Sequence, residues 1–236
     1  MRTMADYLNT DTWARRGAFE YFRAFDKPYF SVCVRLDVAP LRAALTARQA
    51  AWQTAQQATL PATTAGGLML ACYHLALCVA NAQQPFRLRL EGGKVRIHEV
   101  VHGSTTVLRA DESFGFAYLQ HAASYTQFAR QAALQIDAER EGPAAFEPRL
   151  EETALLHLTT LPWLHFSSFS HARNWGREDS VPKLAFGRIS AEGPHQWLPL
   201  SVEVHHALVD GLHVGRYVQV LEAALQDPYS WLDGAP

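Results

Sequence analysis

The stretch His205-His206-Ala207-Leu208-Val209-Asp210-Gly211 joins two segments of different periodicity. Before it, Gln196 to His206 alternates as a strand does; after it, Leu212, Val218, Leu221 and Leu225 recur at helical spacing within a helix expected over Asp210 to Gln226. Strand parity sets His206 in register with Leu198, Leu200, Val202 and Val204, and His205 with Ser201 and Glu203. Only one of the two histidines is then buried, and the expectation is His206. An imidazole at the end of an apolar face sits in a low dielectric that disfavours the cation and leaves the neutral form a general base requires. Asp210 is placed to cap the helix or to hold nearby polar groups, and Gly211 lets the backbone bend tightly. A histidine on an apolar strand face is more often a hydrogen-bonded core residue than a catalyst, so parity alone does not assign chemistry.

Working outward, Thr12 to Phe25 reads as a helix with Asp11 or Thr12 as its cap and Trp13, Ala18, Phe19 and Phe22 on its apolar side. Tyr29 to Val38 alternates strictly and reads as a half-buried strand. Helices are expected from Leu41 to about Gln57 and from Leu68 to Asn81, separated by a Gly/Pro/Thr-rich break from Thr59 to Gly67. Phe86 to Leu90 and Lys94 to His98 flank Glu91-Gly92-Gly93 as a hairpin. A strand around Thr105 to Arg109 is expected to give way at Asp111 or Ser113 to a helix reaching about Arg140. A loop follows at Gly142-Pro143 and Pro148. The remaining strand candidates are Ala154 to Thr160 with an extension through Phe169, Lys183 to Ser190, and Gln196 to His206, the last two joined at Gly193-Pro194. The fold class expected is α/β (α+β), with a mixed β-sheet covered by helices and no clean βαβ series.

The chain has 236 residues, 48% hydrophobic and 11% aromatic, which suits one sizeable core and a single domain over residues 1–236. A formal charge of -2 and the lack of a basic run argue against nucleic acid as a partner. Cys33, Cys72 and Cys78 sit in apolar stretches and read as reduced core residues. With no secretory h-region and no apolar stretch of about 20 residues, the expectation is a cytoplasmic protein without a membrane partner. The eleven histidines form no His-Glu-x-x-His and the cysteines no Cys-x-x-Cys, so no metal is expected. His165 and His213 read as polar neighbours or subunit contacts. No Gly-x-Ser-x-Gly elbow, Gly-x-Gly-x-x-Gly or Walker loop is present.

The motif His-His-x-x-x-Asp-Gly resembles the signature of CoA-dependent acyltransferases, which include the chloramphenicol acetyltransferases, the acyltransferase cores of 2-oxo acid dehydrogenase complexes and peptide-synthetase condensation domains. Three further segments resemble the first of these: Trp13-Ala14-Arg15-Arg16 with Phe19-Glu20, Pro162-Trp163-Leu164-His165-Phe166-Ser167-Ser168-Phe169, and Leu198 to Val202 continuing to Gly211-Leu212-His213-Val214-Gly215-Arg216. The resemblance implies a two-layer α/β sandwich that forms a homotrimer with active sites at subunit interfaces, and acetyl-CoA as co-substrate for a small-molecule hydroxyl acceptor. It implies His206 as the general base without an acyl-enzyme, and Ser168 as hydrogen-bond donor to the oxyanion. Asp210 and Arg15 would pair to support the histidine, Phe22, Phe30, Phe114 and Ala185 would line the acceptor site, and Arg188 would sit near a CoA phosphate, with Arg48 nearby.

Two of these positions depart from the family pattern: Phe22 stands where the resemblance expects a tyrosine and Ala185 where it expects a threonine. Each loses a hydroxyl, which leaves the base and oxyanion donor in place while altering acceptor recognition. The stretch from about Thr46 to Ala62 is also longer than its family equivalent. The reaction expected is O-acetylation of chloramphenicol or a similar acceptor. The alternatives are a non-catalytic trimeric ligand-binding homologue and an acyltransferase acting on dihydrolipoamide; the lack of a lipoyl domain and linker weighs against the latter.

Overall fold

A helix that is apolar on every side has to lie inside a molecule, and the chain is built around one. The computed structural model describes residues 7–56, 67–142, 146, 148–173 and 178–233. In chain order the elements are α1 (Arg16–Arg23), β1 (Tyr29–Asp37), α2 (Ala39–Gln56), α3 (Gly67–Ala82), β2 (Leu88–Glu91), β3 (Lys94–Ile97), β4 (His102–Leu108), β5 (Phe114–Leu119), α4 (Tyr125–Glu141), β6 (Leu155–Thr160), β7 (Lys183–Phe186), β8 (Ser190–Glu192), β9 (His195–His205), α5 (Gly211–Gln226) and α6 (Tyr229–Leu232). Every residue from Leu70 to Ala80 in α3 is buried.

The main sheet runs β1-β9-β7-β6-β4-β5, with β8 added to β9. β4, β6 and β7 are parallel neighbours and the remaining pairs are antiparallel, which makes the sheet mixed as expected. β2 and β3 form a separate hairpin, and Gly92 and Gly93 take φ of 58° and 75°, the left-handed turn geometry that glycine adopts without steric cost. Leu198, Leu200, Val202 and Val204 point from β9 into the same core as α3 and α5. The opposite face of β9 carries Ser201, Glu203 and His205, and these are buried too.

Four expectations are corrected. The helix foreseen from Asp111 or Ser113 begins only at Tyr125, and Phe114–Leu119 is a strand. The Asp/Ser signal is a hairpin turn: the backbone N–H and hydroxyl of Ser113 both donate to Asp111 Oδ1, Arg109 N–H donates to Ser113 O, and Glu112 takes φ 66°. α1 starts at Arg16 with Arg15 in the capping position and no side-chain cap, so neither Asp11 nor Thr12 caps it. The strand foreseen from Lys183 to Ser190 is split. Gly187 N–H donates to Pro199 O and Arg188 N–H to Leu164 O, and a Cβ on Gly187 would stand 2.9 Å from Leu164 O. The glycine therefore admits the Leu161–Phe169 segment, which is irregular and does not prolong β6. Gln57 at the end of the foreseen helix, residues 59–66 of the foreseen break and Pro143 of the foreseen loop lie outside the described residues.

Cys72 and Cys78 are buried and Cys33 half-buried, and all three are free thiols. Burial pushes the Cys72 and Cys78 thiols up to about 12, so they are inert core residues. Among the described residues no helix is long and apolar enough to cross a membrane, and no group of three or more His, Cys, Asp or Glu side chains is arranged to hold a metal.

Candidate active site

β9 ends at His205, and His206 leaves the strand with its backbone N–H donating to Pro28 O at 2.6 Å. The side-chain environments are the reverse of those expected from parity: His205 is buried, 5% exposed, whereas His206 is half-buried. Parity assumed that the face of Ser201 and Glu203 was wet. It is covered by the segment Phe169–Arg173, whose Phe169 O accepts from Ser201 Oγ and whose His171 N–H donates to Glu203 Oε2. Burial lowers the His205 pKa to about 4, and the nearby Arg173 charge adds to the effect. The strongly desolvated imidazole is therefore that of His205.

The His206 ring is held by aromatic neighbours. Phe22 stacks on it at 3.7 Å between centroids and 9° between planes, and Phe30 lies at 4.7 Å and 53°. Phe22 reaches this position from α1 and Phe30 from β1, where it pairs with Val204. His206 Nδ1 is buried with no hydrogen-bond partner among the described residues.

Arg15, at the start of α1, clamps the turn that follows. Its Nε donates to Asp210 Oδ2 at 3.1 Å, Nη1 to Leu208 O at 2.5 Å and Ala207 O at 3.3 Å, and Nη2 to His206 O at 3.2 Å. Three successive carbonyls turned toward one guanidinium fix the backbone immediately after His206. Asp210 caps α5 in the same place, accepting from the N–H groups of Leu212 and His213, while Asp210 N–H donates to His213 Nδ1. Partial burial works to raise the Asp210 pKa, yet the His213 backbone N–H, the His213 and Arg15 charges and the Leu212 N–H outweigh it and hold the carboxyl below its usual value. His213 is thus half of a capping box, a role the sequence did not reveal because Glu or Gln is the usual partner at that position.

The other foreseen positions are elsewhere. Ser168 is exposed and precedes Phe169, which lies over Ser201; the segment then follows β9 toward His205. At about 3.3 Å per residue the five-residue step from Ser201 to His206 separates Ser168 from His206 of the same chain by on the order of 15 Å. Phe114 lies exposed on the outermost strand β5, packed edge-on against Phe116 and Phe146. Ala185 is fully buried on the face of Ser201, with which it pairs, and Arg188 is exposed beyond the end of β7. Arg48 is an ion-pair partner of Asp233, and its Nη2 stands 3.4 Å from Thr126 Oγ1.

The family model described as chloramphenicol acetyltransferase matches residues 5–222. The chain belongs to the chloramphenicol acetyltransferase family. It is by that membership an acyltransferase. The chloramphenicol acetyltransferase of Campylobacter coli is 27% identical over 92% of this chain and 97% of its own length, and that of Streptomyces acrimycini 27% over 95% and 96%. A solved chloramphenicol acetyltransferase superposes with a TM-score of 0.78 at 20% identity, over 94% of this chain and 100% of the other. The dihydrolipoamide acetyltransferase of Azotobacter vinelandii shares the fold at a TM-score of 0.66 and 17% identity, over 92% and 88%.

Proposed function

We propose that the chain, as a single domain, transfers the acetyl group of acetyl-CoA to a hydroxyl of a small acceptor, chloramphenicol or a similar alcohol, with His206 as general base. The observation that carries this reading is the fixed His206 ring, stacked on Phe22 with its backbone carbonyl clamped by Arg15. With Nδ1 buried, Nε2 is the nitrogen that meets the acceptor. For Nε2 to accept the proton, the imidazole must be the tautomer that carries its hydrogen on Nδ1.

The acceptor O–H gives its proton to Nε2 as its oxygen forms a bond to the thioester carbonyl carbon. The carbonyl electrons move onto oxygen, where the Ser168 hydroxyl donates a hydrogen bond. Collapse of the tetrahedral intermediate breaks the C–S bond, and the imidazolium returns the proton to the departing thiolate. The products are the acetyl ester and free CoA, and no acyl-enzyme forms. Arg188, exposed next to the Leu161–Phe169 segment, is available to a CoA phosphate.

Ser168 and His206 of one chain are too far apart to act on one carbonyl, and this supports a site completed by a neighbouring copy in a homotrimer. The direct experiment is acceptor-dependent release of CoA thiol from acetyl-CoA. Turnover by the unaltered chain and a loss of at least about a thousandfold in His206→Ala are expected. Undiminished turnover in His206→Ala would refute the mechanism, and ligand binding without any product would mark a non-catalytic homologue.

A further inference from the structure

The segment that carries Ser168 is irregular, so side chains of the sheet, and not a strand or helix ladder, hold it in place. Immediately after Ser168, Phe169 O accepts from Ser201 Oγ at 3.3 Å. His171 N–H donates to Glu203 Oε2 at 2.9 Å, Ala172 O accepts from Lys183 Nζ at 3.3 Å, and Arg173 Nε donates to Glu203 Oε1 at 2.6 Å. Ser201 and Glu203 belong to β9 and Lys183 to β7. The Phe169 ring packs against those of Phe166 and His171, at 5.5 and 4.7 Å between centroids. Before Ser168, Leu164 O accepts from Arg188 N–H at 2.8 Å, which tethers the other end of the segment.

The anchors are charged. The Arg173 and Glu203 side chains are 2% and 5% exposed; Arg173 Nη1 also lies 3.3 Å from Asp179 Oδ1, and Lys183 Nζ lies 2.9 Å from Asp179 Oδ2. Two positive and two negative groups thus close a neutral, largely buried chain. Burial works to raise the Glu203 pKa, but the His171 hydrogen bonds and the Arg173 charge outweigh it and hold the carboxyl at about 2. A buried network of this kind adds little stability over well-packed apolar residues of the same size. What it adds is direction, since a hydrogen bond weakens steeply away from its axis and an apolar contact does not. An oxyanion donor needs that precision, because it acts only within about 2.7–3.1 Å of the developing charge.

We infer that Glu203 and Ser201 are positioning residues of the acetyl transfer: through the backbone of Phe169 and His171 they set the place of the Ser168 hydroxyl. The inference rests on the acetyl-transfer reading above and adds to it the residues that hold the oxyanion donor. β9 then serves two sites at once. Its end leads into His206, and its opposite, covered face holds the Ser168 that the transfer reading assigns to the site of a neighbouring copy. A shift of a reacting group by about 1 Å costs up to about a hundredfold in rate. Loss of an interaction made only in the transition state lowers kcat and leaves KM nearly unchanged.

The test is a double-variant cycle in the full chain. Glu203→Gln and Ser201→Ala are made alone and each with Ser168→Ala, and CoA-thiol release from acetyl-CoA is followed with chloramphenicol and 4-nitrobenzyl alcohol as acceptors. Each single variant should lower kcat at least about tenfold while both KM values change less than about threefold. On top of Ser168→Ala the same changes should lower the residual kcat by less than about threefold, because the group they position is gone. Ser201→Ala, the smaller change, carries the test if Glu203→Gln does not fold. Equal falls with and without the Ser168 hydroxyl would mark a general effect on the fold and overturn the inference, as would an unchanged kcat in both single variants. A fully active Ser168→Ala would overturn it by removing Ser168 from the reaction, with acetyl transfer left standing. No thiol release by the unaltered chain with either acceptor would overturn the transfer reading and the inference together.

Discussion

The ring of Phe22 lies face to face with that of His206, 3.7 Å between centroids and 9° from parallel, so a side chain of α1 sets the orientation of the imidazole that follows β9. Truncation in Phe22→Ala removes one wall of this slot. The expected result is a loss of about ten- to a hundredfold in kcat with a smaller change in the KM for acetyl-CoA, because ring orientation and not CoA binding is disturbed. Steady-state kinetics with both substrates varied would show it, and an unchanged kcat would remove Phe22 from the positioning of His206.

Arg15 holds His206 O, Ala207 O, Leu208 O and Asp210 at once. Arg15→Lys keeps the charge but cannot present five donors in a plane, so it should reproduce most of the defect of Arg15→Ala. Both variants should lower kcat, by about tenfold or more, and lower Tm by several degrees. A fully active Arg15→Lys enzyme would mean that the charge alone suffices.

If the site forms between copies, Ser168→Ala and His206→Ala impair different halves of it. Each variant alone should be nearly inactive, and unfolding and refolding them together at equal concentrations should restore about a quarter of normal activity through interfaces that pair the two unaltered residues. A mixture as inactive as its components would place both residues in one chain's own site.

Acid should destabilise the fold through its buried histidines. Burial lowers His74, His98 and His205 to about 4 and His157 to about 3. Unfolded histidines titrate near 6.5, so from about pH 6.5 down to about pH 4 the unfolded chain binds protons that the folded chain refuses, and stability falls as pH falls. The stability contributed by these groups is complete above pH 7, and its loss reaches at most about 2 kcal/mol per histidine at pH 5. Thermal melts across this range should show a falling Tm, with a shallower slope in His205→Asn; a Tm constant from pH 7.5 to 4.5 would contradict the buried neutral assignment.

Arg173 and Glu203 form a buried pair at 2.6 Å, with side chains 2% and 5% exposed. Glu203→Gln removes the nearer of the two carboxylates that face the buried Arg173 guanidinium, Asp179 Oδ1 staying 3.3 Å from Nη1, and should cost about 1–3 kcal/mol, whereas Arg173→Met/Glu203→Leu should cost less. Denaturant unfolding of the two variants reads the difference directly. Equal losses would indicate that packing, not charge compensation, holds the Phe169–Arg173 segment.

Much was legible locally. Alternation along Gln196 to His206, the spacing of Leu212 to Leu225 and the all-apolar run of α3 specify their elements because period and composition are properties of neighbouring residues. The family was legible for a related reason: His206, Asp210 and Gly211 are close in sequence, and the Trp13 to Arg16 and Pro162 to Phe169 segments are continuous. The Asp111 turn was misread because an acidic residue followed by serine accepts backbone N–H groups equally well at a helix start and in a hairpin. The sequence by itself therefore determined the fold class and the strand-turn-helix that carries His206. Which histidine is buried was decided only by the tertiary structure, because parity assigns a side chain to a face but not what covers that face, and it is the distant Phe169–Arg173 segment that dries the one holding His205.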